Sequence, residues 1–551
     1  MGNVKHLANP LVKQAAQLVT KFANKNNEEA RLAGLFYLCF KDIHCMVYLY
    51  DSFHNLYVRN VVQLSRKFYI LELLPYISIG GTMLELKPMI HKFRMKDNYY
   101  CLDVNSGIIH VIDELIDRVL DIYDGTNRDA VHAALDAKED AVELDEIMDE
   151  LDELIKAEQL FAPMSTEFKL VVGEKPIVKA LCLNIAHDCN LACKYCFASQ
   201  GDYGGVKREL MSFDVAKRAV DFLIKMSGPR QHCEIDFFGG EPLLNWDVVK
   251  QTVEYIESIQ EQHNKIFKLT LTTNGMLLTQ DKIDYVNEHK LSLVLSLDGR
   301  ESVHNAMRPV AGSGAESYKY IAKNLINAVK QRHGLEYYVR GTYTHKNLDF
   351  TKDVMAMSDL GFEHLSMEPV VGEEGDYVLR EEDWPALEKE YEKLADIYLE
   401  RQLEGWGEKF NFFHFRMDLY RGPCMAKRLR GCGAGHEYMA IVPNGDIYPC
   451  HQFVGKDGFV IGNVYEGLQN TEIPKDFRNT HVFSKPTCAE CWAKFFCSGG
   501  CHANNITLGG DLETPYEFGC RLQKKRIECA IMIQAELEQA GIDGSIPVAL
   551  G

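Results

Sequence analysis

Three cysteines lie close together in the stretch HDCNLACKYCFASQ. Cys189, Cys193 and Cys196 are separated by three and by two residues, and an aromatic residue directly precedes the third. A structural zinc site usually has four protein ligands, often as two separated CxxC pairs. Three thiolates on a four-iron cluster instead leave one iron free to bind a substrate. The spacing favours such a cluster, and the alternative is a zinc site completed by His187.

The elements around this loop must present it at one end of a sheet. Between residues 180 and 370, six short apolar segments predict strands: ALCLNIA, CEIDFFGG, FKLTLTTNG, LSLVLSLDG, EYYVRGTYT and HLSMEPV. Helical segments such as FDVAKRAVDFLIKM lie between them. Repeated βα units predict a parallel sheet with ligands at the carboxyl ends of its strands. Six units are too few for a closed barrel of eight, so we expect an open partial barrel.

This region resembles the radical S-adenosylmethionine (SAM) enzymes, whose signature is a C-x3-C-x2-C loop after the first strand of a partial (β/α)6 barrel. Four further features support the resemblance. Tyr195 matches the aromatic residue of the loop, and the segment FFGGEP supplies Gly240 and Glu241, which match the motif that receives the methionine amino group. Ser296, in SLDG, and Arg308 resemble the ribose and carboxylate contacts.

The resemblance implies a reductive reaction that uses SAM and a [4Fe-4S] cluster. An electron from a ferredoxin- or flavodoxin-type donor would cleave SAM to methionine and a 5'-deoxyadenosyl radical, which removes a hydrogen atom from an unactivated carbon. The cofactor would perform the difficult step, and the protein would position the reactants and exclude water.

A second group of cysteines lies near the carboxyl end, and its spacing resembles that of the SPASM domains of peptide-modifying radical SAM enzymes. The resemblance implies two auxiliary [4Fe-4S] clusters and therefore three clusters in all; the alternative is two zinc sites. The implied ligands are Cys488, Cys491, Cys497 and Cys520 for the distal cluster, and Cys432, Cys450 and Cys501 for the proximal one. Cys424 either completes the proximal cluster or leaves one of its irons free.

Composition and pattern divide the chain into four parts. Residues 1–88 carry 10 Lys and Arg against 6 Asp and Glu, unlike the acidic remainder. They form either an accessory extension of unknown role or a mis-called start ahead of Met89. We expect a winged-helix-like module at 89–165, a radical SAM core at 175–400 and a Cys-rich SPASM domain at 410–535.

The module at 89–165 has short strand patterns around an Asn-Ser-Gly turn, followed by three helical segments. It resembles the recognition domains that capture a leader peptide by adding it as a strand to a small sheet. A winged helix that binds DNA is the alternative, and the acidity of the module disfavours it.

Several segments look closest to the maturases of six-cysteine precursor peptides, which join a Cys sulfur to a carbon, typically of Thr. The substrate implied is a Cys-rich precursor peptide with a leader. The second possibility is an anaerobic sulfatase-maturating enzyme. Those enzymes carry an Asp directly after the equivalent of Cys450, where this chain has His451. His451 and Asp298 are candidate catalytic residues. A non-catalytic iron–sulfur electron carrier is a third hypothesis, disfavoured because a carrier gains nothing from an open iron.

Composition limits the partners. The 551 residues carry a formal net charge of -19, which opposes an extended nucleic-acid surface. No apolar run reaches the ~20 residues needed to span a bilayer, and the amino terminus lacks the apolar stretch of a secretory signal. We therefore expect a cytoplasmic protein that binds neither nucleic acid nor membrane. Six further cysteines without ligand spacing are expected to be buried apolar residues: Cys39, Cys45, Cys101, Cys182, Cys233 and Cys529.

Overall fold

A three-stranded antiparallel sheet and three helices form the first part of the structure. The computed structural model describes residues 88–135, 138–163, 176–205, 207–417, 419 and 425–542. The extension at 1–88, except its last residue, and Cys39, Cys45 and Cys424 lie outside them. The elements are β1 (Ile90–Met95), β2 (Asn98–Asp103), β3 (Ile109–Ile112), α1 (Glu114–Leu120), α2 (Arg128–Leu135) and α3 (Ala141–Lys156).

These elements follow the sequence pattern closely. The sheet order is β1-β2-β3, and Gly107 has φ +74° in the turn between β2 and β3, as the Asn-Ser-Gly segment predicts. The helices pack on the sheet through a core that includes Cys101, Val119 and Met148. The predicted strands and helices of this module are therefore present.

Six parallel strands and their connecting helices form the barrel. In chain order the strands are β4 (Ala180–Ala186), β5 (His232–Gly239), β6 (Ile266–Thr273), β7 (Ser292–Ser296), β8 (Tyr337–Tyr343) and β9 (His364–Pro369). The helices are α4 (Phe213–Met226), α5 (Trp246–Ile259), α6 (Gln280–Glu288), α7 (Glu301–Met307), α8 (Tyr318–Lys330) and α9 (Thr351–Asp359). Each strand pairs in parallel with the next along the chain, which confirms the partial barrel.

Alternation along β5 shows how the strands separate core from interior. Cys233, Ile235 and Phe237 are buried at 0 to 1% exposure, whereas Asp236 and Phe238 stand on the opposite face, which lines the barrel. The helices cover the outer face: α4 begins at its cap, Ser212, whose hydroxyl accepts a hydrogen bond from a first-turn amide. On β5 the outer face is therefore apolar, whereas the inner face carries Asp236.

Two short strands from outside the βα series extend the barrel sheet at its edges. β10 (Asn411–Phe412) pairs in parallel with β9, and β11 (Tyr438–Ile441) pairs in parallel with β4. β12 (Asp446–Tyr448), β13 (Gly462–Asn463) and β14 (Gly467–Leu468) continue the sheet antiparallel. The sheet has eleven strands among the described residues, and the sequence predicted six.

The sequence LEKEYEKLADIYLERQLEGW predicts a long polar helix that serves as a linker, but the helix α10 (Trp384–Leu403) that it forms differs from that prediction. It buries Leu387, Leu394 and Tyr398 and packs against the carboxyl-terminal helix, so it is part of the core. The remaining helices are α11 (Met425–Arg430), α12 (Glu472–Asn479), α13 (Pro486–Ala489), α14 (Lys494–Cys497), α15 (His502–Asn504) and α16 (Glu517–Gln539).

The described residues all fall within one compact unit. Cys101, Cys182, Cys233 and Cys529 are buried at 0 to 1% exposure, as expected of the cysteines without ligand spacing. None of the helices in the described part of the chain is long and apolar enough to cross a bilayer.

Candidate active site

The loop with the three cysteines begins directly after β4 and is held by backbone hydrogen bonds to the segment that follows α7. The amide of Ala192 donates to the carbonyl of Pro309 at 2.8 Å, and the amide of Lys194 donates to that of Met307 at 2.9 Å. The loop is therefore fixed against a βα unit distant in sequence, before any cofactor is considered.

The three thiols face one another. Burial, followed by Glu241 and then by the thiols of Cys193 and Cys196, raises the pKa of Cys189 to about 12. Burial also raises the pKa of Cys193 to about 11, against the opposing charge of Arg308. The free thiols are thus neutral, whereas coordination to a metal deprotonates a thiol.

Several N–H groups point at these sulfurs. The amide of Leu191 lies 3.5 Å from Sγ of Cys189, and that of Gln200 lies 3.2 Å from Sγ of Cys196. The side-chain amide of Asn274, at the end of β6, lies 3.8 Å from Sγ of Cys189. Three Cys sulfurs with N–H donors around them fit an iron–sulfur cluster, whose potential such hydrogen bonds adjust.

The zinc alternative finds no support in this geometry. His187 is fully buried, and neither of its ring nitrogens has a hydrogen-bond partner. Its ring packs against that of Tyr203 at 4.7 Å. Among the residues that the structure describes, no three His, Cys, Asp or Glu side chains form a group that could hold a single metal ion.

The end of β5 lies against the loop that carries Cys189, Cys193 and Cys196, which we call the thiolate loop. A Cβ atom at Gly240 would lie 2.1 Å from the carbonyl oxygen of Asp188, so only glycine fits there. The carboxylate of Glu241 accepts hydrogen bonds from the hydroxyl of Thr273 at 2.7 Å and from the amide of Asn274 at 2.8 Å. These hydrogen bonds hold Glu241 against the end of β6, next to the loop. Burial raises the pKa of the Glu241 carboxyl to about 7.

Asp298 is fully buried and joins the loop to the residues after β7. It accepts two hydrogen bonds from the Arg308 guanidinium, at 2.9 and 3.0 Å, one from the Tyr195 hydroxyl at 2.6 Å and one from the amide of Thr342 at 3.0 Å. Burial would raise the pKa of Asp298, yet Arg308 holds it below its ordinary value. This gives Asp298 a positioning role. Ser296 ends β7 nearby.

In the second group of cysteines, neighbouring thiols influence one another's pKa. Burial, then the thiols of Cys497, Cys488 and Cys491, raises the pKa of Cys520 to about 12. Burial also raises the pKa of Cys450, with contributions from Cys501 and Cys432. Seven cysteines thus form two neighbourhoods, while the assignment of each as a cluster ligand remains a prediction.

His451 lies where these cysteines meet the barrel. Its Nδ1 is 2.7 Å from the hydroxyl of Tyr438 on β11, and its ring packs against Phe197 of the thiolate loop and Phe238 of β5, at 5.4 and 5.1 Å. Burial, assisted by Arg340, lowers its pKa to about 4. The imidazole is therefore neutral near pH 7, and its role as a base remains a prediction.

A cavity of about 400 Å³ lies between the ends of β8 and β9 and the second group of cysteines. Its lining includes Arg340 and Glu368 from the barrel, together with Cys497, Cys501 and Cys520. The cavity gives a bound molecule contact with the barrel interior and with the auxiliary cysteines at the same time.

Sequence reasoning missed two features of this site. Asn274 stands in TTNG, which was taken only as a strand end, although an amide at the end of a barrel strand is a recognisable signal. Asp236, a charged residue inside the apolar run CEIDFFGG, was also missed; its position in mid-strand indicates a residue facing the barrel interior.

Comparison with known proteins agrees with this geometry. Residues 183–346 match the family model of the Radical SAM superfamily. Residues 432–492 match that of the SPASM iron-sulfur cluster-binding domain. The structure of native anSMEcpe with bound AdoMet and Cp18Cys peptide has a TM-score of 0.54 at 21% identity, covering 66% of this chain and 99% of that one. The fold is therefore the radical SAM partial barrel, followed by a SPASM domain.

Curated relatives include maturases of two kinds. The cysteine-type anaerobic sulfatase-maturating enzyme of Clostridium novyi is 24% identical over 338 residues, which cover 58% of this chain and 86% of that protein. The mycofactocin maturase MftC of Mycolicibacterium smegmatis is 27% identical over 365 residues, which cover 62% and 83%.

Proposed function

Proceeding from a chain that carries a radical SAM domain and a SPASM domain, we propose that it matures a Cys-rich ribosomal precursor peptide. The reaction joins a Cys sulfur to a carbon of another residue, typically Thr, as a thioether crosslink. The observation that supports this proposal is the cavity lined by barrel residues and SPASM cysteines, because a thioether-forming site needs room for a substrate residue next to groups that can hold its sulfur.

The protein's own residues position the reactants. Cys189, Cys193 and Cys196 would hold the cluster that binds SAM, and Gly240 leaves room beside their loop. When bound there, SAM supplies the 5'-deoxyadenosyl radical that removes a hydrogen atom from the substrate carbon. The hydrogen bonds of Asp298 fix the loop from below, and the closed apolar contacts around His451 exclude water.

The amino-terminal module is proposed to bind the leader of the precursor. β1 and β3 are the outer strands of its described sheet, and β3 exposes Val111 at 39%. An extended peptide can add to such an edge through backbone hydrogen bonds. The module also packs on the SPASM region, where the rings of His91 and Trp492 stack at 3.6 Å. A bound leader would thus be tethered close to the catalytic cavity.

A second candidate function is the maturation of sulfatases, in which a Cys or Ser becomes formylglycine. The relatives named cysteine-type and serine-type anaerobic sulfatase-maturating enzymes favour it, at 24 to 26% identity. By the resemblance, those enzymes carry Asp at the position of His451. The different residue in this chain favours the thioether reaction over sulfatase maturation. A non-catalytic electron carrier fits less well, since the substrate-sized cavity would then have no use.

The test uses the full chain, reconstituted anaerobically with iron and sulfide. It should bind about twelve irons if all three clusters form, and dithionite with SAM should yield 5'-deoxyadenosine. A Cys- and Thr-rich precursor peptide encoded beside the gene, co-expressed with the protein, should lose two hydrogens per crosslink in mass spectrometry.

The product decides between the candidates. A crosslinked peptide that keeps its sulfur and resists alkylation supports thioether formation. An aldehyde that has lost the sulfur selects sulfatase maturation instead. Iron binding without SAM cleavage would leave only the electron carrier.

A further inference from the structure

The interior of the barrel carries two carboxylates in opposite electrostatic settings. Asp236 projects inward from β5 and Glu368 from β9. Glu368 is surrounded by two cationic groups and one imidazole: its carboxylate oxygens lie 3.5 Å from the Arg526 guanidinium, 3.9 Å from that of Arg340 and 3.4 Å from Nε2 of His414. Burial would raise the pKa of Glu368, yet these groups lower it to about 2. Glu368 is therefore a fixed anion and a weak base.

Asp236 has no comparable partner. Its two carboxylate oxygens lie 3.0 and 3.2 Å from a single donor, the hydroxyl of Thr272 on β6. Within the described part of the chain, no Lys, Arg or His nitrogen comes within ion-pair distance of it. Burial raises the pKa of Asp236 to about 7 despite that hydrogen bond and the more distant charge of Arg340. Most of its acceptor positions remain unused.

Its place on β5 puts Asp236 just below the centre where the radical forms. Phe238, two residues on and on the same face, is about 7 Å further along the strand. The Phe238 ring packs against Phe197 of the thiolate loop at 6.2 Å, and Gly240 then contacts that loop. Asp236 therefore lies on the inner face of β5, on the side of Phe238 that is away from the loop.

Four other groups face Asp236 from the elements around it. Cys182 of β4 is paired with it in register, and Asp236 contributes to the raised pKa of the Cys182 thiol after burial. The charge of Asp236 also contributes to the raised pKa of Tyr438 on β11, and the charge of Arg340 on β8 lowers the pKa of Asp236. Thr272 is the fourth group. None of these neighbours is a strong base near pH 7, so Asp236 is the group suited to receive a proton.

We propose that Asp236 is the catalytic base that removes the proton of the substrate thiol inside the barrel. The inference rests on the proposed function and names the residue that function lacks. Desolvation raises the pKa of a thiol, so a cysteine drawn into this interior stays protonated unless a base is present.

Formation of the crosslink transfers one proton, one hydrogen atom and one electron. The substrate S–H bond breaks heterolytically and its proton moves to the Asp236 carboxylate. The substrate C–H hydrogen atom passes to the deoxyadenosyl radical, which becomes 5'-deoxyadenosine. The S–C bond would form as the thiolate sulfur adds to the carbon radical, and the SPASM cysteines would hold the oxidised iron–sulfur cluster that accepts the one surplus electron. Asp236 then releases its proton to water.

The test compares Asp236→Asn with Asp221→Asn in the reconstituted full chain. Asp221 is a matched control because its carboxylate also accepts one hydroxyl hydrogen bond, from Tyr255, but on the outer surface of α4. With a peptide substrate, Asp236→Asn should lower the crosslinking rate at least about 100-fold, while 5'-deoxyadenosine still forms at a rate within about twofold of the unchanged protein. Asp221→Asn should match the unchanged protein in both measurements.

The pH profile sharpens the test. A base must be ionised, so the single-turnover crosslinking rate of the unchanged protein should rise about tenfold per pH unit below pH 7 and level off above it. In Asp236→Asn the residual rate should lose this dependence, and Asp236→Glu should restore part of the rate. An undiminished rate in Asp236→Asn, or equal loss of SAM cleavage and crosslinking, overturns the proposal.

A measurement without turnover is independent of the product. Infrared difference spectra of the reconstituted protein, recorded without SAM or peptide, should show protonated carboxyl bands of Asp236 and Glu241 that titrate near pH 7, and the Asp236 band should be missing in Asp236→Asn. Absence of that band overturns the proposal. If the product proves to be formylglycine, the thioether function fails, yet the rate comparison still tests Asp236, because that oxidation also removes the thiol proton.

Discussion

The two cysteine-bearing regions of the chain are built in different ways. The loop of Cys189, Cys193 and Cys196 stands at the end of six parallel strands and is bonded to neighbouring units on both sides. The SPASM cysteines stand instead among strands of two to four residues and helices mostly shorter than nine. The first site is therefore positioned by the sheet, whereas we expect the second to depend on bound metal for its order.

The largest effect should follow from removing the barrel thiols. Changing Cys189, Cys193 and Cys196 to Ala should abolish 5'-deoxyadenosine formation and lower the iron content from about twelve to about eight per chain. Because the sheet positions the loop, the fold should persist in circular dichroism. Cys233→Ala, on the helix-facing side of β5, is the control and should keep full iron content and SAM cleavage. Loss of all the iron in the triple variant would contradict the independence of the two regions.

The second-largest effect should follow from iron removal, which should change hydrogen-exchange protection differently in the two regions. A structural metal contributes on the order of 10 kcal/mol to a small metal-dependent fold, so chelation should increase amide hydrogen exchange in 432–520 by about 1,000-fold or more. Peptides from β4 to β9 should keep their protection. Equal loss of protection in both regions would show that the barrel also needs its cluster to fold.

A smaller effect should follow from the buried ion pair. Asp298→Asn leaves Arg308 buried with a weakened partner and should lower the free energy of unfolding by about 3 kcal/mol, measured by denaturant titration. Asp349→Asn, which breaks the more exposed pair with Arg300, should cost less than about 1 kcal/mol.

The pH dependence of this difference has a definite sign. The pKa of Asp298 is depressed in the folded protein, so the stability it contributes is present above about pH 4, its ordinary value, and is lost as pH falls through the folded value. The gap between the unchanged protein and Asp298→Asn should therefore narrow in acid. A gap that widens would contradict the ion pair.

The sequence allowed much of the barrel to be predicted because its elements follow local patterns. Each of the six strands is a short apolar run closed by Gly, Asn or Pro, and each lies where such runs predict. The match to the Radical SAM family model covers the loop of Cys189, Cys193 and Cys196, whereas the assignment of the SPASM cysteines to two clusters stays a prediction.

What the sequence could not show depends on contacts between distant segments. The apolar stripe of α10 is carried partly by tyrosines among Glu and Lys, and its partner α16 lies more than 110 residues further on. Leu387 and Tyr398 were therefore interpreted as part of a polar linker. Similarly, nothing in YMAI indicates that β11 would pair with β4. Asp298 was predicted only as a catalytic candidate, and its ion pair with Arg308 becomes visible only in three dimensions.

The pairing of β11 with β4 has a mechanical consequence. β11, which enters the SPASM region, is hydrogen-bonded in parallel to β4, the strand that ends at the thiolate loop. Tyr438 and Leu181 therefore belong to one ladder with no hinge between them. Neither cysteine-bearing region can move away from the other without breaking those hydrogen bonds. The distance over which electrons would travel between the two regions is thus set by the geometry of one sheet.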